Sequence, residues 1–283
     1  MKNNLIALGH IIVIIIVYIL SFLLPGAVIN LFDFSERIDF FRTIIGSLLA
    51  IIFFIFCSKF YVERIMKLRL FSLRVKIKKP DIFWIFASLL VRSLVVLFYF
   101  VSDKAIIVQN NFDLHHTIHF LIRIVFISGL CAGIVEEILF RGILLGYLEK
   151  KYGLVSALII SSLLFGVPHL LNIDVFSISL IIQVTVFITL YGIIMSMIVY
   201  YTDNIWNSIS IHIFWNVITS LIINQGEEIE SNFVLQMKEK SLFWNGSDYG
   251  LEVSIVGLMG FSIFGFLVLI LKKRNSKKIG TNQ

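Results

Sequence analysis

Residues Ile124–Leu148 form the apolar run IVFISGLCAGIVEEILFRGILLGYL. A helix of this length crosses the hydrocarbon core of a bilayer, because a helix rises about 1.5 Å per residue and the core is about 30 Å thick. Glu136, Glu137 and Arg141 interrupt the run, although an ionisable group inside a membrane is costly unless it is paired or hydrated. The run therefore predicts a membrane-spanning helix with charged groups in its interior.

The composition of the whole chain agrees with a membrane location. Of its 283 residues, 58% are hydrophobic and 15% are charged, and the mean hydropathy is +0.94. Soluble domains are about 45–50% apolar and about 25% charged, and disordered chains are far less hydrophobic, so both classes are excluded. The net charge of +6 is assigned to cytoplasmic loops rather than to a nucleic-acid surface. The predicted partners therefore include the lipid bilayer and no nucleic acid.

Seven other apolar runs are long enough to cross a membrane by the same criterion. They extend over Leu5–Leu24, Phe40–Tyr61, Ile82–Val101, Leu154–Leu171, Val175–Tyr201, Ile205–Ile223 and Val253–Leu271. Together with the first run they predict an all-α fold, a polytopic membrane helix bundle with about eight transmembrane helices. The segments between the runs are too short for a core of their own. Residues 1–283 are therefore predicted to be a single membrane domain.

The distribution of Lys and Arg predicts the orientation of these helices. With the N-terminus in the cytoplasm, 16 of the 24 Lys and Arg residues lie in cytoplasmic segments and five lie in outer segments. Eight of the 16 belong to residues 59–79, which we name the basic loop. Because basic segments are retained on the cytoplasmic side, the sequence predicts a multi-pass protein of the cell membrane with both termini in the cytoplasm.

Glu137 and Arg141 are spaced for an ion pair within one helix. Side chains four positions apart share a face of a helix, so the arginine can neutralise this carboxylate inside the membrane. Glu136 points about 100° away from Glu137 and is free to face a cavity. In the alternative interpretation, Glu136 and Glu137 lie at a solvent-exposed end of the helix. This fits less well, because Lys150 and Lys151 mark that end further along the chain. The pattern indicates that Glu137 has a structural role and that Glu136 is available for catalysis.

Two later helices contribute further polar groups to the apolar interior. His169 follows Pro168, whose missing backbone N–H leaves a carbonyl one turn earlier without its helical partner. His212 and Asn216 are four positions apart, so both can reach one ligand atom from the same face of a helix. Each feature alone is common where membrane helices hydrogen-bond to each other. Together they predict a shared polar pocket.

Two other polar segments have simpler interpretations. Residues Asp113–Arg123 hold three histidines and are interpreted as an interfacial lead-in to the helix that follows, rather than as a metal site. Arg92, inside the third run along the chain, is interpreted as a residue that snorkels or pairs with another polar group. Binding of a substrate carboxylate by Arg92 is the less favoured alternative.

The intramembrane polar residues suit the activation of water. A buried carboxylate such as Glu136 can act as a general base, and His212 with Asn216 can donate hydrogen bonds to a developing oxyanion. His169 can assist the base or protonate the leaving amine. Alternatively, Glu136, His169 and His212 can bind a zinc-like divalent metal that activates water. Both mechanisms stay open, so the expected cofactor is either a zinc-like metal or none.

The polar residues form three motifs that occur in order on successive hydrophobic runs: Glu136-Glu137-x-x-x-Arg141, Phe165-x-x-x-His169 and His212-x-x-x-Asn216. Over roughly residues 128–224, the chain resembles the CPBP family of intramembrane proteases. This family includes the type II CAAX prenyl endopeptidases, and its shared region is also named the abortive-infection (ABI) domain. The resemblance implies a catalytic core in 124–224. The apolar runs and the Lys/Arg distribution predict N-terminal transmembrane helices and the basic loop in 1–123, and an outer loop, last transmembrane helix and basic cytoplasmic tail in 225–283.

The resemblance also implies how the motifs divide the work of peptide hydrolysis. The family is described both as metalloproteases and as glutamate-type proteases, and the motifs agree with either description. The implied roles are activation of water by Glu136 and His169, stabilisation of the oxyanion by His212 and Asn216, and support of the geometry of the site by Glu137 and Arg141.

The predicted function is that of an intramembrane endopeptidase. It would hydrolyse a peptide bond in a membrane-associated peptide or protein, with water activated by glutamate and histidine. The alternative is a non-catalytic membrane scaffold, or a bacteriocin-immunity or regulatory protein of the same fold, since the resemblance implies such members as well. A transporter with a proton relay is less favoured, because the sequence contains no inverted repeat.

Overall fold

The computed structural model describes residues 2–32, 39–171, 173, 177–222, 232–247 and 249–280. These residues form long helices that pack side by side, together with one antiparallel two-stranded ribbon. The ribbon pairs β1 Ala105–Gln109 with β2 Phe233–Met237. The all-α fold predicted from the sequence is confirmed. The long helices are α1 Lys2–Ile29, α2 Phe40–Ile65, α3 Ile82–Val101, α4 Leu114–Tyr152, α5 Leu154–Leu170, α6 Ile178–Thr202, α7 Ile205–Ile222 and α8 Ile255–Gly280.

Five of these helices, α1 to α4 and α6, are long and apolar enough to cross a membrane by length and composition. Helix α5 and the apolar part of α8, Ile255–Leu271, are shorter apolar helices. A membrane helix bundle is thus confirmed, whereas the number of eight transmembrane helices stays a prediction. The domain limits at residues 123 and 224 and the orientation in the membrane also stay predictions.

The helix that carries the three charged residues begins earlier than its apolar run. The carboxylate of Asp113 accepts a hydrogen bond from the backbone N–H of His116 (2.7 Å) and caps the first turn, so that α4 begins at Leu114. The segment predicted as an interfacial lead-in therefore forms the first turns of α4. Two stretches of π-helix, Ile124–Cys131 and Ile138–Leu144, interrupt the α-helical hydrogen bonding. Such stretches are frequent at functional sites.

Two predicted limits of apolar runs, Val175 and Ile223, lie outside the described residues. The helix of the first of these runs, α6, begins at Ile178, because the hydroxyl of Ser177 accepts a hydrogen bond from the backbone N–H of Leu180 (3.4 Å). Helix α3 begins and ends at the predicted residues.

Close packing between α4 and α7 brings the polar residues of these helices together. Gly133 on α4 lies against Ile213 on α7, and a Cβ atom at Gly133 would be 2.7 Å from Ile213 Cγ1. Small residues allow membrane helices to approach each other this closely. Glu137 lies one turn after Gly133 on α4, and His212 directly precedes Ile213 on α7. The close contact of Gly133 with Ile213 therefore places Glu137 beside His212.

The long helices share one core and expose an apolar outer surface. Buried apolar side chains from every helix between α1 and α8 form a single connected cluster. Phe56 on α2 and Phe86 on α3 lie outside it and are 71% and 62% exposed. Exposed apolar surface of this extent is typical of a protein that is covered by lipid rather than by water.

The basic loop lies at one end of the bundle, where ion pairs hold it to other elements. Arg74 pairs with Glu149 at the end of α4 (2.6 Å), and Lys76 pairs with Asp203 between α6 and α7 (2.7 Å). Burial alone would raise the pKa of Asp203, but hydrogen bonds from Lys76 and Lys78 outweigh it and hold that pKa below its ordinary value. The loop is therefore fixed against the ends of three helices.

The opposite end of the bundle holds the ribbon and a short turn of 3-10 helix, Leu251–Val253, just before α8. In the ribbon, Ala105 pairs with Met237. The turn is joined to the end of α3, where the hydroxyl of Tyr99 lies 3.0 Å from Oγ of Ser254. The two ends thus differ in both charge and structure.

Candidate active site

Glu137 and Arg141 form the ion pair that their spacing predicts. Their side chains are 0% and 1% exposed, and Nη1 of Arg141 lies 2.9 Å from Oε1 of Glu137. The guanidinium also lies over the ring of Phe165 on α5, 3.8 Å from its centroid, in a cation–π contact. The arginine thus neutralises a carboxylate whose burial would otherwise be strongly unfavourable.

His212 on α7 is oriented by the same carboxylate. Its Nδ1 atom lies 2.9 Å from Oε1 of Glu137. Because an ionised carboxylate only accepts hydrogen bonds, Nδ1 carries the hydrogen, and Nε2 is free to face the other glutamate. Nε2 lies 3.9 Å from Oε2 of Glu136, too far for a direct hydrogen bond. The two adjacent glutamates of α4 therefore approach opposite nitrogens of one imidazole.

Glu136 has more access to solvent than Glu137, since 15% of its side chain is exposed. Its Oε1 atom accepts a hydrogen bond from the hydroxyl of Tyr18 on α1 (3.1 Å). The ring of Tyr18 packs edge-on against Phe140, the residue before Arg141. Helix α1 thus covers one side of the carboxylate that is predicted to be the general base.

His169 lies in the last turn of α5, directly after Pro168. Its Nδ1 atom donates a hydrogen bond to the backbone carbonyl of Phe165 (3.0 Å), since a carbonyl can only accept. The ring of His169 also packs on the ring of Phe165, with 4.7 Å between the centroids. These two contacts fix the orientation of the imidazole and leave Nε2 available.

Asn216 lies one turn after His212 on α7. Its Nδ2 atom donates a hydrogen bond to the backbone carbonyl of Ser128 on α4 (2.9 Å). The carbonyl belongs to the first π-helical stretch of α4. A side-chain amide has two N–H groups, so Asn216 can tie α7 to α4 and still donate to a ligand.

Three of the four predicted catalytic residues line one cavity: His169, His212 and Asn216. Its space for water-sized molecules is about 30 Å³. Glu136 is not among the described residues that line it, and is connected to the cavity through the imidazole of His212. The other lining residues are Phe165, Phe187, Ile188, Tyr191, Trp215, Glu252, Leu258 and Phe261.

The part of the chain that contains these residues matches a known family. Residues 118–218 match the family model described as type II CAAX prenyl endopeptidase Rce1-like. This region resembles the Rce1-like endopeptidases. The match confirms the predicted resemblance to the CPBP family over 101 of the 283 residues and supports a peptidase function. No curated protein and no solved structure gives a significant match to the chain.

The Rce1-like region contains all six residues that the sequence predicts for the site. The structure connects four of them directly, since His212 lies between the two glutamates and Glu137 pairs with Arg141. His169 and Asn216 reach the same place through the shared cavity. Their roles in the reaction stay a prediction.

The predicted zinc-like ligand set is not assembled among the described residues, and a metal-dependent mechanism stays a prediction. Among the residues that the structure describes, no three His, Cys, Asp or Glu side chains form a group that could hold a metal ion. Glu136, His169 and His212, the predicted ligand set, are all described. Zinc takes oxygen and nitrogen ligands at about 2.0–2.2 Å, so Oε2 of Glu136 and Nε2 of His212, which lie 3.9 Å apart, would have to move closer together to share one tetrahedral ion.

Three residues of the site were not predicted from the sequence. Tyr18 bonds to Glu136, and Tyr191 and Glu252 line the cavity. Two features of the sequence could have indicated these residues: tyrosines, which carry a polar hydroxyl, inside apolar runs, and an acidic residue directly before the last apolar run. Neither signal says which helix the residue meets, because that depends on how the bundle packs.

Proposed function

We propose that this protein is an intramembrane endopeptidase that hydrolyses a peptide bond in a membrane-associated peptide or protein. The contact that supports this function best is the hydrogen bond of His212 to Glu137, which directs the other imidazole nitrogen towards Glu136. Carboxylate–imidazole pairs of this kind orient a histidine for proton transfer in hydrolases. The Rce1-like match over residues 118–218 supports the same class of enzyme.

Glu136 is proposed as the general base. The distance of 3.9 Å between Oε2 of Glu136 and Nε2 of His212 is one that a water molecule can bridge with a hydrogen bond to each atom. As the oxygen of this water attacks the carbonyl carbon of the substrate, its proton moves to Glu136 and negative charge develops on the carbonyl oxygen. A positioned general base contributes about 10²–10⁴-fold to a rate.

His212 and Asn216 are proposed to stabilise the negative carbonyl oxygen. The second N–H of the Asn216 amide can donate a hydrogen bond to it. His212 donates through Nε2 when its ring is protonated, and the carboxylate of Glu137 balances the positive charge of the ring. Arg141 holds that carboxylate in place through the 2.9 Å contact.

His169 is proposed to protonate the leaving amine. It lines the same cavity as His212 and Asn216, and the hydrogen bond of Nδ1 to Phe165 leaves Nε2 as the atom that transfers the proton. The proton that Glu136 accepts from water replaces the one that His169 loses. Each turnover therefore consumes one water and leaves the side chains in their starting state.

Substrate entry requires the site to open. The cavity has room for water-sized molecules only, at about 30 Å³, whereas a peptide segment is much larger. Helices or aromatic side chains around the cavity must therefore move apart before the peptide bond reaches His212, a kind of step that limits the rate of many enzymes.

The variant Glu136→Gln tests this proposal. It keeps the shape of the side chain but removes the base, so we expect cleavage of a quenched fluorescent membrane peptide by protein in lipid vesicles to fall at least about 100-fold. Glu63→Gln, at an exposed position near the end of α2, is the matched control and should cleave at the wild-type rate. Full activity of Glu136→Gln would contradict the mechanism. A wild-type protein that cleaves no membrane peptide would favour the non-catalytic scaffold.

A further inference from the structure

Glu252 is a carboxylate of the cavity that the proposed mechanism does not use. It lines the cavity together with His169, His212 and Asn216, and it is partly buried. Among the described residues, none donates a hydrogen bond to Glu252 or forms an ion pair with it. Its charge can therefore interact with a ligand that enters the cavity.

The turn that carries Glu252 is anchored on both sides. Leu251 and Val253 are 1% and 0% exposed, and the carbonyl of Val253 accepts a hydrogen bond from the side chain of Gln183 on α6 (2.5 Å). The hydroxyl of Ser254 donates to the carbonyl of Leu251 (2.7 Å). A side chain on such a turn is presented in one place, as a binding residue needs to be.

Arg92 is the protein group that could neutralise Glu252 instead. Its guanidinium hydrogen-bonds to Thr219 and lies over the ring of Trp215, 4.2 Å from its centroid. The charges of Arg92 and Glu252 attract each other, but no ion pair within 4.0 Å joins them in the described part of the chain. Trp215 lines the cavity and Arg92 does not. The carboxylate therefore remains accessible to a ligand in the cavity.

The aromatic lining of the cavity also favours a cation. Phe261 and Tyr191 add aromatic faces, which attract cations. The rings of Phe165 and Trp215 are less available to a further cation, because Arg141 and Arg92 already lie over them. The carboxylate of Glu252 therefore supplies most of the attraction for the cation of the substrate.

We infer that Glu252 binds a positively charged group of the substrate, from a lysine or arginine side chain or a free amino terminus, close to the bond that is cleaved. This inference rests on the proposed endopeptidase function. Glu252 is then a specificity-determining residue that selects the peptide and takes no part in the proton transfers at Glu136 and His169.

A series of membrane peptides tests the inference. The peptides carry Lys, norleucine, Arg or Glu at one position after another around the scissile bond, each with a free or an acetylated amino terminus to separate the two sources of positive charge. We expect kcat/KM of the wild-type protein to be at least about tenfold higher for a positively charged peptide than for its neutral counterpart. Arg should be preferred over norleucine in the same way as Lys.

Variants of Glu252 should change this preference. Glu252→Gln should abolish the preference for the positively charged peptide while still cleaving the norleucine peptide, and Glu252→Lys should favour the Glu peptide. Glu239→Gln, at an exposed acidic position of the same segment, is the matched control and should keep the wild-type preference. If Glu252→Gln does not fold, Glu252→Asp should show a weakened preference.

An unchanged preference in Glu252→Gln or Glu252→Asp would overturn the inference while leaving the endopeptidase function intact, since both peptides would still be cleaved. If Glu252 only neutralises Arg92, its variants should have a lower Tm and an unchanged preference. That result would also overturn the inference. Binding of the same peptides to the Glu136→Gln protein makes the comparison independent of cleavage. There, equal affinity for the Lys and norleucine peptides would contradict the role of Glu252.

Discussion

At the residue scale, Glu137 contacts two other predicted site residues. It pairs with Arg141 four positions away and hydrogen-bonds to His212, 75 positions away, through the same oxygen. The first contact follows from the period of one helix, whereas the second depends on the packing of α7 against α4. The carboxylate with a structural role is therefore also the one that orients the proposed imidazole.

We predict that Glu137→Gln lowers both stability and activity. It leaves the guanidinium of Arg141 without its buried partner, which costs about 3–5 kcal/mol, whereas removal of both charges is close to neutral. The double variant Glu137→Gln with Arg141→Met should therefore regain most of the lost Tm. It should not regain cleavage, because His212 still lacks its carboxylate.

Thermal unfolding in detergent and cleavage of the fluorescent peptide separate these two effects. A double variant that recovers both Tm and activity would mean that Glu137 acts through stability alone.

At the scale of elements, the contact between α4 and α7 determines the geometry of the site. The backbone of α4 can approach α7 because Gly133 lacks a side chain at the point where Ile213 packs, and Gly129, one turn earlier, does the same against Val217. The hydrogen bond between His212, the neighbour of Ile213, and Glu137 depends on this separation. Helix spacing and proton transfer are thus coupled through glycines of α4, of which Gly133 lies nearer to the site.

We predict that Gly133→Val separates α4 from α7 and impairs catalysis. A Cβ atom there would lie 2.7 Å from Cγ1 of Ile213, and overpacking of this kind costs about 1–3 kcal/mol. The His212–Glu137 hydrogen bond should lengthen, and cleavage should fall at least about tenfold. Gly9→Val on α1, where a Cβ atom meets nothing within 4 Å, is the control.

Restoration of cleavage by Ile213→Ala in the Gly133→Val background would support the steric explanation. Wild-type cleavage by Gly133→Val itself would show that this helix contact does not control the site.

At the scale of the whole molecule, the bundle has a basic end and an end that carries the ribbon. The basic loop lies at the first end, and Glu252 lies at the second, in the turn before α8. The excess of Lys and Arg in the loop predicts that the first end faces the cytoplasm. The cavity residue proposed to select substrates would then belong to the outer end.

We predict that cysteine labelling reveals this orientation. In a protein with Cys57 and Cys131 replaced by Ala, Ile107→Cys on β1 should react with a membrane-impermeant maleimide in intact cells. Ile77→Cys in the basic loop should react only after the membrane is permeabilised. Both positions are well exposed, at 58% and 97% respectively, so access depends on the side of the membrane. The reverse pattern of labelling would contradict the predicted orientation.

The sequence by itself determined the features that depend on neighbouring positions in the chain. Apolar runs predicted the all-α membrane fold and the limits of α3, and spacing of four residues predicted the pair of Glu137 and Arg141. These predictions succeed because the length of a helix and the faces of its side chains follow from a regular local geometry.

Only the tertiary structure decided which distant groups meet. Tyr18 reaches Glu136 across 118 positions, His212 turns Nδ1 to Glu137, and Glu252 enters the cavity from beyond the matched region. These contacts follow from the rotation and separation of packed helices, which small residues such as Gly133 set at single points. No regular spacing along the chain encodes them, because each depends on side chains that two or more helices contribute together.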